Sequence, residues 1–116
     1  MAIAELYSGS ATISTTEISL VSGTSSLQSD TADGIYQVFL DLNALANGDS
    51  FELRIKEKVR SADTQRIVYL MNFANAQTSQ PNAATPSLIL MHGWDVTIIK
   101  ISGTDREIPW SIRQVA

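Results

Sequence analysis

The chain has a lone histidine, His92, three residues before Asp95, a spacing at which a carboxylate could orient an imidazole. A base of this kind needs a nucleophile in reach, and no G-x-S-x-G turn occurs anywhere in the chain. Beside the bend residue Gly93, His92 reads more simply as a packed or solvated side chain. One histidine and no cysteine leave a zinc site without ligands. Asp30-Thr-Ala-Asp33-Gly34 could offer two carboxylates to calcium, but D-x-x-D-G is not the D-x-[DN]-x-[DN]-G loop, and no bidentate Glu follows. That segment reads as a turn. The six glycines are scattered among turns, so no loop cradles phosphate. Any two of the twelve acids could converge as a glycosidase pair, and nothing in the sequence singles out which. No catalytic, metal or cofactor-binding residue is expected, and the chain does not read as an enzyme.

Binding chemistry leaves two candidates. Exposed aromatics could hold a sugar, and Tyr7, Tyr36, Tyr69, Trp94 and Trp110 are available. Tyr36, Tyr69 and Trp94 fall in phase with core positions, which favours packing over recognition. The second candidate is a basic row. Arg54, Lys56 and Lys58 alternate along one strand, about 7 Å apart on one face, and Arg60 continues them. Without interleaved aromatics they are poor nucleic-acid contacts. They form either a solvated, edge-protecting face or a stripe that meets a partner.

The elements that would position these residues follow from composition and pattern. The chain has 116 residues, of which 44% are hydrophobic and 17% charged, and no cysteine. This is one folded domain without disulfides, long enough to bury roughly two-thirds of its unfolded surface. Net charge is −4, unevenly placed. Residues 1–53 hold seven acids and no base, while residues 54–116 hold all eight bases and five acids. A general nucleic-acid binder would be basic overall. The N-terminus lacks a basic, apolar leader and no stretch is apolar enough to span a membrane, so synthesis in the cytoplasm is expected.

Short alternations recur every 8–12 residues with turn chemistry between them. Ala11 and Ile13, then Ile18 and Leu20, mark two brief strands in a Ser/Thr-rich region. Ile35–Leu42 is a strand with Tyr36, Val38, Leu40 and Leu42 on one face. Asn47-Gly48 reverses the chain. Phe51–Val59 then alternates with Phe51, Leu53, Ile55, Glu57 and Val59 on one side. Ile67–Phe73, Ser87–Met91, Trp94–Ile101 and a terminal strand with Ile108, Trp110 and Ile112 complete the set. Residues 75–86 read as a polar loop, and 1–10 as an N-terminal arm. The expected architecture is an all-β sandwich of about eight antiparallel strands, with a jelly roll the leading topology.

Several of these strands are apolar on both faces. Val68 and Leu70, Ile89 and Met91, and Ile99 and Ile101 would occupy the outer faces of a two-layer sandwich. Leaving six such side chains in water forgoes roughly 1.5–3 kcal/mol each. Either loop 75–86 folds back over them or another subunit covers them. Three such strands favour a homo-oligomer.

Five segments carry a resemblance. They are Thr16-Glu-Ile-Ser-Leu20, Asp33-Gly-Ile-Tyr-Gln-Val-Phe-Leu-Asp-Leu-Asn-Ala-Leu-Ala-Asn-Gly-Asp49, Glu57-Lys-Val-Arg60, Leu88-Ile-Leu-Met-His-Gly-Trp-Asp95 and Gly103-Thr-Asp-Arg-Glu-Ile-Pro-Trp-Ser-Ile-Arg113. From about Thr16 to Ala116, the chain resembles small all-β virion accessory proteins of tailed bacteriophages. The resemblance implies a virion component, and the expected role is a capsid decoration (cement) protein on the outer head surface. It would be a homo-oligomer, preferably a trimer, bound to the major capsid protein, with neither nucleic acid nor membrane as partner. A neck or tail accessory protein is the alternative role, and a carbohydrate-binding module a third. The resemblance carries no active-site residue to this chain.

Overall fold

The computed structural model describes residues 2–115, and Met1 and Ala116 lie outside the described residues. Nine strands form: β1 (Ile3–Ile13), β2 (Ile18–Ser19), β3 (Gly34–Asp41), β4 (Ser50–Glu57), β5 (Arg66–Ala74), β6 (Asn82–Ala84), β7 (Leu88–Leu90), β8 (Asp95–Ser102) and β9 (Arg106–Val115). Among the described residues there is no helix. One sheet has the order β1-β9-β3-β6, with β7 also against β3; the other has the order β2-β8-β4-β5. All pairings are antiparallel. The chain changes sheet at every connection except the β4–β5 hairpin and the β6–β7 step. This is the wrapping of a jelly roll.

Period-two patterning explains the core. On β3, Tyr36, Val38 and Leu40 point inward, as do Phe51, Leu53 and Ile55 on β4, Val96 and Ile98 on β8, and Ile108, Trp110 and Ile112 on β9. Trp94 is fully buried 4.5 Å from the Tyr36 ring, and its indole N–H donates to the Ala32 carbonyl at 2.8 Å. The Trp110 indole donates to the Leu20 carbonyl at 3.0 Å. Both large aromatics thus bury their rings with their polar atom bonded.

Three expectations change. The segment 75–86 is not wholly loop: Asn82–Ala84 pairs with Phe39–Asp41 as β6, which makes nine strands rather than about eight. Thr85 bridges the break between β6 and β7, its hydroxyl accepting the Val38 N–H at 3.1 Å and its own N–H donating to the Val38 carbonyl at 2.9 Å. Residues 3–10 are not a free arm but the first part of β1, paired along β9 with a bulge between Glu5 and Tyr7. Finally, β4 ends at Glu57, so Val59 is exposed rather than inward. Where the strand ends, the Glu57 carboxylate accepts the backbone N–H groups of Met91 (2.6 Å) and His92 (2.9 Å), and the Lys58 N–H donates to the His92 carbonyl at 2.9 Å.

Candidate interaction surfaces

The outward apolar side chains are where the alternation puts them, except that Val68 is the unpaired residue of a bulge between Tyr69 and Ile67. Val68, Leu70, Ile89, Met91 and Ile101 are 43–75% exposed, and Ile99 is half-buried. The loop that could have roofed them is tied instead to the rim of the first sheet through β6 and the Pro81 carbonyl, which accepts the Leu42 N–H. The six residues do not share one patch. Val68 and Leu70 lie on β5, the outer strand of the second sheet, whereas Ile89 is on β7, at the edge of the first. Ile99 and Ile101 are on β8, separated from Leu70 by β4, whose Glu52 lies opposite Ile99 and whose Arg54 lies opposite Leu70.

That intervening strand corrects the expectation of a basic row. Glu17, from the link between β1 and β2, reaches across it. Its carboxylate lies 2.8 Å from the Lys56 amine and 3.3 Å from Arg54, and accepts the Thr97 hydroxyl at 2.5 Å. Arg54 also holds Glu52 at 2.6 Å. Burial opposes the Glu17 charge, but the bonds from Lys56 and Thr97 outweigh it, and the carboxyl titrates below its usual range. Arg60 lies beyond the strand, paired to Asp63 at 3.0 Å. Lys58 forms no ion pair among the described residues, and its aliphatic stem lies beside Gly93. Three of the four cations are therefore matched within the chain.

A row missed by sequence reasoning crosses the first sheet. Ile3 of β1 faces Val115 of β9, Val115 faces Ile35 of β3, and Ile35 faces Ile89 of β7. Ile3, Ile35 and Ile89 are exposed. Beside them a groove of about 200 Å³ is lined by Phe39 and Arg113, whose guanidinium stacks 3.8 Å over the Phe39 ring. Ile35 was the available signal, being apolar and out of phase with Tyr36 and Val38. Its neighbours could be known only from strand order.

The two ends of the sandwich differ. Of the eleven large hydrophobics that are exposed among the described residues, only Ile101 lies toward the end where β3 finishes. That end is polar and internally bonded around Asp49. The Asp49 carboxylate receives Arg106 at 2.7 Å, the Ala46 N–H at 2.9 Å and the Thr104 N–H at 3.0 Å. Led by the Arg106 bond, these donors hold its carboxyl down at about 2. The opposite end, where β3 begins, carries Leu27, Val59, Ile67 and Met91 as well as the isoleucine row.

The remaining candidates resolve without chemistry. Asp95 is fully buried; it accepts the Ser19 hydroxyl at 2.6 Å and the N–H groups of Gln28 and Val96, both at 2.9 Å. Burial pushes its carboxyl up. Its bonds fasten β2 and the following loop to β8 and do not orient His92. Asp30 accepts the Tyr7 hydroxyl at 2.6 Å and the Ala32 N–H at 2.9 Å, a turn rather than a cation loop. The bond to Asp30, followed by burial, raises the Tyr7 hydroxyl to about 12. No cluster of three metal-ligating side chains exists among the described residues, and no helix there is long and apolar enough to cross a membrane. The aromatics are in or against the core: Tyr36, Trp94 and Trp110 are buried, and Tyr7 and Tyr69 are half-buried against it.

No protein-family model matches the sequence, and no curated protein does so either. Among solved structures, the chain is similar to the Eiger TNF of S. frugiperda, at 12% identity and TM-score 0.46, covering 79% of this chain and 66% of that one. It is also similar to a xylan-binding domain from CBM 22, at 15% identity and TM-score 0.41, covering 74% and 57%. The chain thus spans less than two thirds of the length of either. A chain in the acid-stable capsid structure of Helicobacter pylori bacteriophage KHP30 is similar at 9% identity and TM-score 0.43, covering 98% of this chain and 92% of that one. The family of this jelly-roll domain is not shown by these likenesses.

Proposed function

We propose that this protein is a non-catalytic structural component of a phage virion, a decoration protein that binds the outer head surface as a homo-oligomer, preferably a trimer. One observation supports the reading above the others. Five of the six apolar side chains expected to face outward are exposed, and the chain's own loop does not cover them. Apolar side chains left exposed at several separate places on the sandwich offer area that contact with another protein would bury. The resemblance of segments 16–20, 33–49, 57–60, 88–95 and 103–113 to phage accessory proteins points the same way. A symmetric oligomer engages several capsid subunits at once, and linked weak contacts gain roughly 10²–10⁴ in avidity over one. A carbohydrate-binding role would need two exposed aromatics on one face, and none of the eight aromatic residues is fully exposed.

The test is to heat heads of the encoding phage with and without the protein, and to count its copies per virion. Decoration predicts a higher rupture temperature with protein bound and several hundred copies. An unchanged rupture temperature with about a dozen copies would instead indicate the neck or tail.

A further inference from the structure

Two flanks of the sandwich end in unpaired strands, and they differ in charge. On one flank β1 has a neighbour only in β9 among the described residues; on the other β5 has a neighbour only in β4. Neither β1 nor β5 contains a proline, and neither contains the lysine that commonly guards an edge against pairing. Both expose large apolar side chains, Ile3 and Leu6 on β1 and Ile67, Val68 and Leu70 on β5. The segment 3–19, which builds β1 and β2, contains Glu5 and Glu17 and no base; Glu17 is already held by Lys56 and Arg54, which leaves Glu5 as the acid this flank can offer a partner. The segment 58–66, leading into β5, contains Lys58, Arg60 and Arg66 against one acid, Asp63, which already holds Arg60. Lys58, Arg66 and Glu5 form no ion pair among the described residues.

We propose that the β5 flank of one copy packs along the β1 flank of the next, so that the oligomer is a head-to-tail ring. The inference rests on the reading of the protein as a homo-oligomer and specifies its interface. Opposite charge on two greasy edges makes each the complement of the other and leaves neither complementary to itself. Because the edges lie on opposite flanks, one such contact leaves a free flank at each end, and association stops only when the ring closes. This favours a trimer or larger ring over a dimer.

The experiment uses two double variants of the full chain, I3E/L6E on the β1 flank and V68E/L70E on the β5 flank. All four positions are exposed, so both variants are expected to keep the wild-type circular dichroism. Each alone is expected to have the monomer mass of 12.6 kDa. Mixed in equal amounts they should form a species of twice that mass and nothing larger, because each supplies one intact flank. If wild type is oligomeric but the mixture stays monomeric, or either variant alone keeps the wild-type mass, the head-to-tail interface is wrong. If wild type is itself a monomer, the homo-oligomer reading fails instead. Charge reversal provides a second measurement should a double variant fail to fold. E5K and R66E should each weaken association about tenfold or more, and E5K/R66E should recover to within about threefold of wild type. Additive losses would overturn the proposal.

Discussion

Leu53 and Leu70 are near neighbours on paired strands of the same sheet, and replacing them should have opposite consequences. Leu53 is 1% exposed and packed in the core; Leu70 is 43% exposed on the outer face. Leu53→Ala removes buried methyl groups and leaves a cavity, which costs about 2–5 kcal/mol. For a domain of this size that lowers the melting temperature by roughly 8–25 °C. Leu70→Glu leaves the core untouched, so its monomer should unfold within about 0.5 kcal/mol of wild type. Its cost falls on association. Covering the exposed fraction of Leu70 is worth about 1 kcal/mol, and carrying a carboxylate out of water into the contact, opposite Arg54, costs several more. The dissociation constant should rise by about two to three orders of magnitude. Thermal melts followed by circular dichroism read the first effect, and sedimentation velocity over a concentration series reads the second. An L70E protein that melts like L53A, or that associates like wild type, would refute the assignment of these faces.

Other predictions test the polar end and the charged ladder. Gly103 has φ +91°, and a Cβ there would fall 2.6 Å from the Asp49 Cα, so Gly103→Ala should destabilise by roughly 1–3 kcal/mol in a denaturant titration. Asp49 titrates at about 2 in the folded chain against 3.8 ordinarily, so its stabilising share is present above pH 4 and is lost as pH falls through 2. Asp49→Asn should flatten the decline in melting temperature over that window, and an unchanged acid limb would contradict the Asp49 network. Asp95, raised by burial, acts with the opposite sign, since protonation relieves its cost. Glu17→Gln should cost about 1 kcal/mol, and in a double-mutant cycle with Lys56→Met the two losses should be less than additive.

What could be read in advance was what alternation alone determines. Tyr36, Val38 and Leu40, or Phe51, Leu53 and Ile55, sit inward because a strand with one buried face leaves no other phase. The same rule identified Leu70 and Ile89 as outward. It overran at Val59, because nothing in a period of two marks where a strand stops; at the stop Glu57 binds backbone groups 34 and 35 residues away, partners that the local pattern does not reveal. β6 was illegible because Asn82-Ala-Ala84 has neither bulk nor alternation, and only the edge of β3 makes it a strand. The basic row looked free because its counter-ion, Glu17, lies 37 residues before Arg54. The isoleucine row was invisible for a similar reason, since Ile3 and Ile89 become neighbours of one surface only once β9 and β3 lie between them.

The most direct test is the mass of the purified wild-type protein in solution at micromolar concentration. Uncovered apolar side chains on the outer faces and edges predict an assembly at a whole multiple of 12.6 kDa, with three the expected number. A particle of 12.6 kDa that persists to high micromolar concentration would show that those side chains remain in water, and the account of this molecule as a self-assembling coat component would be contradicted.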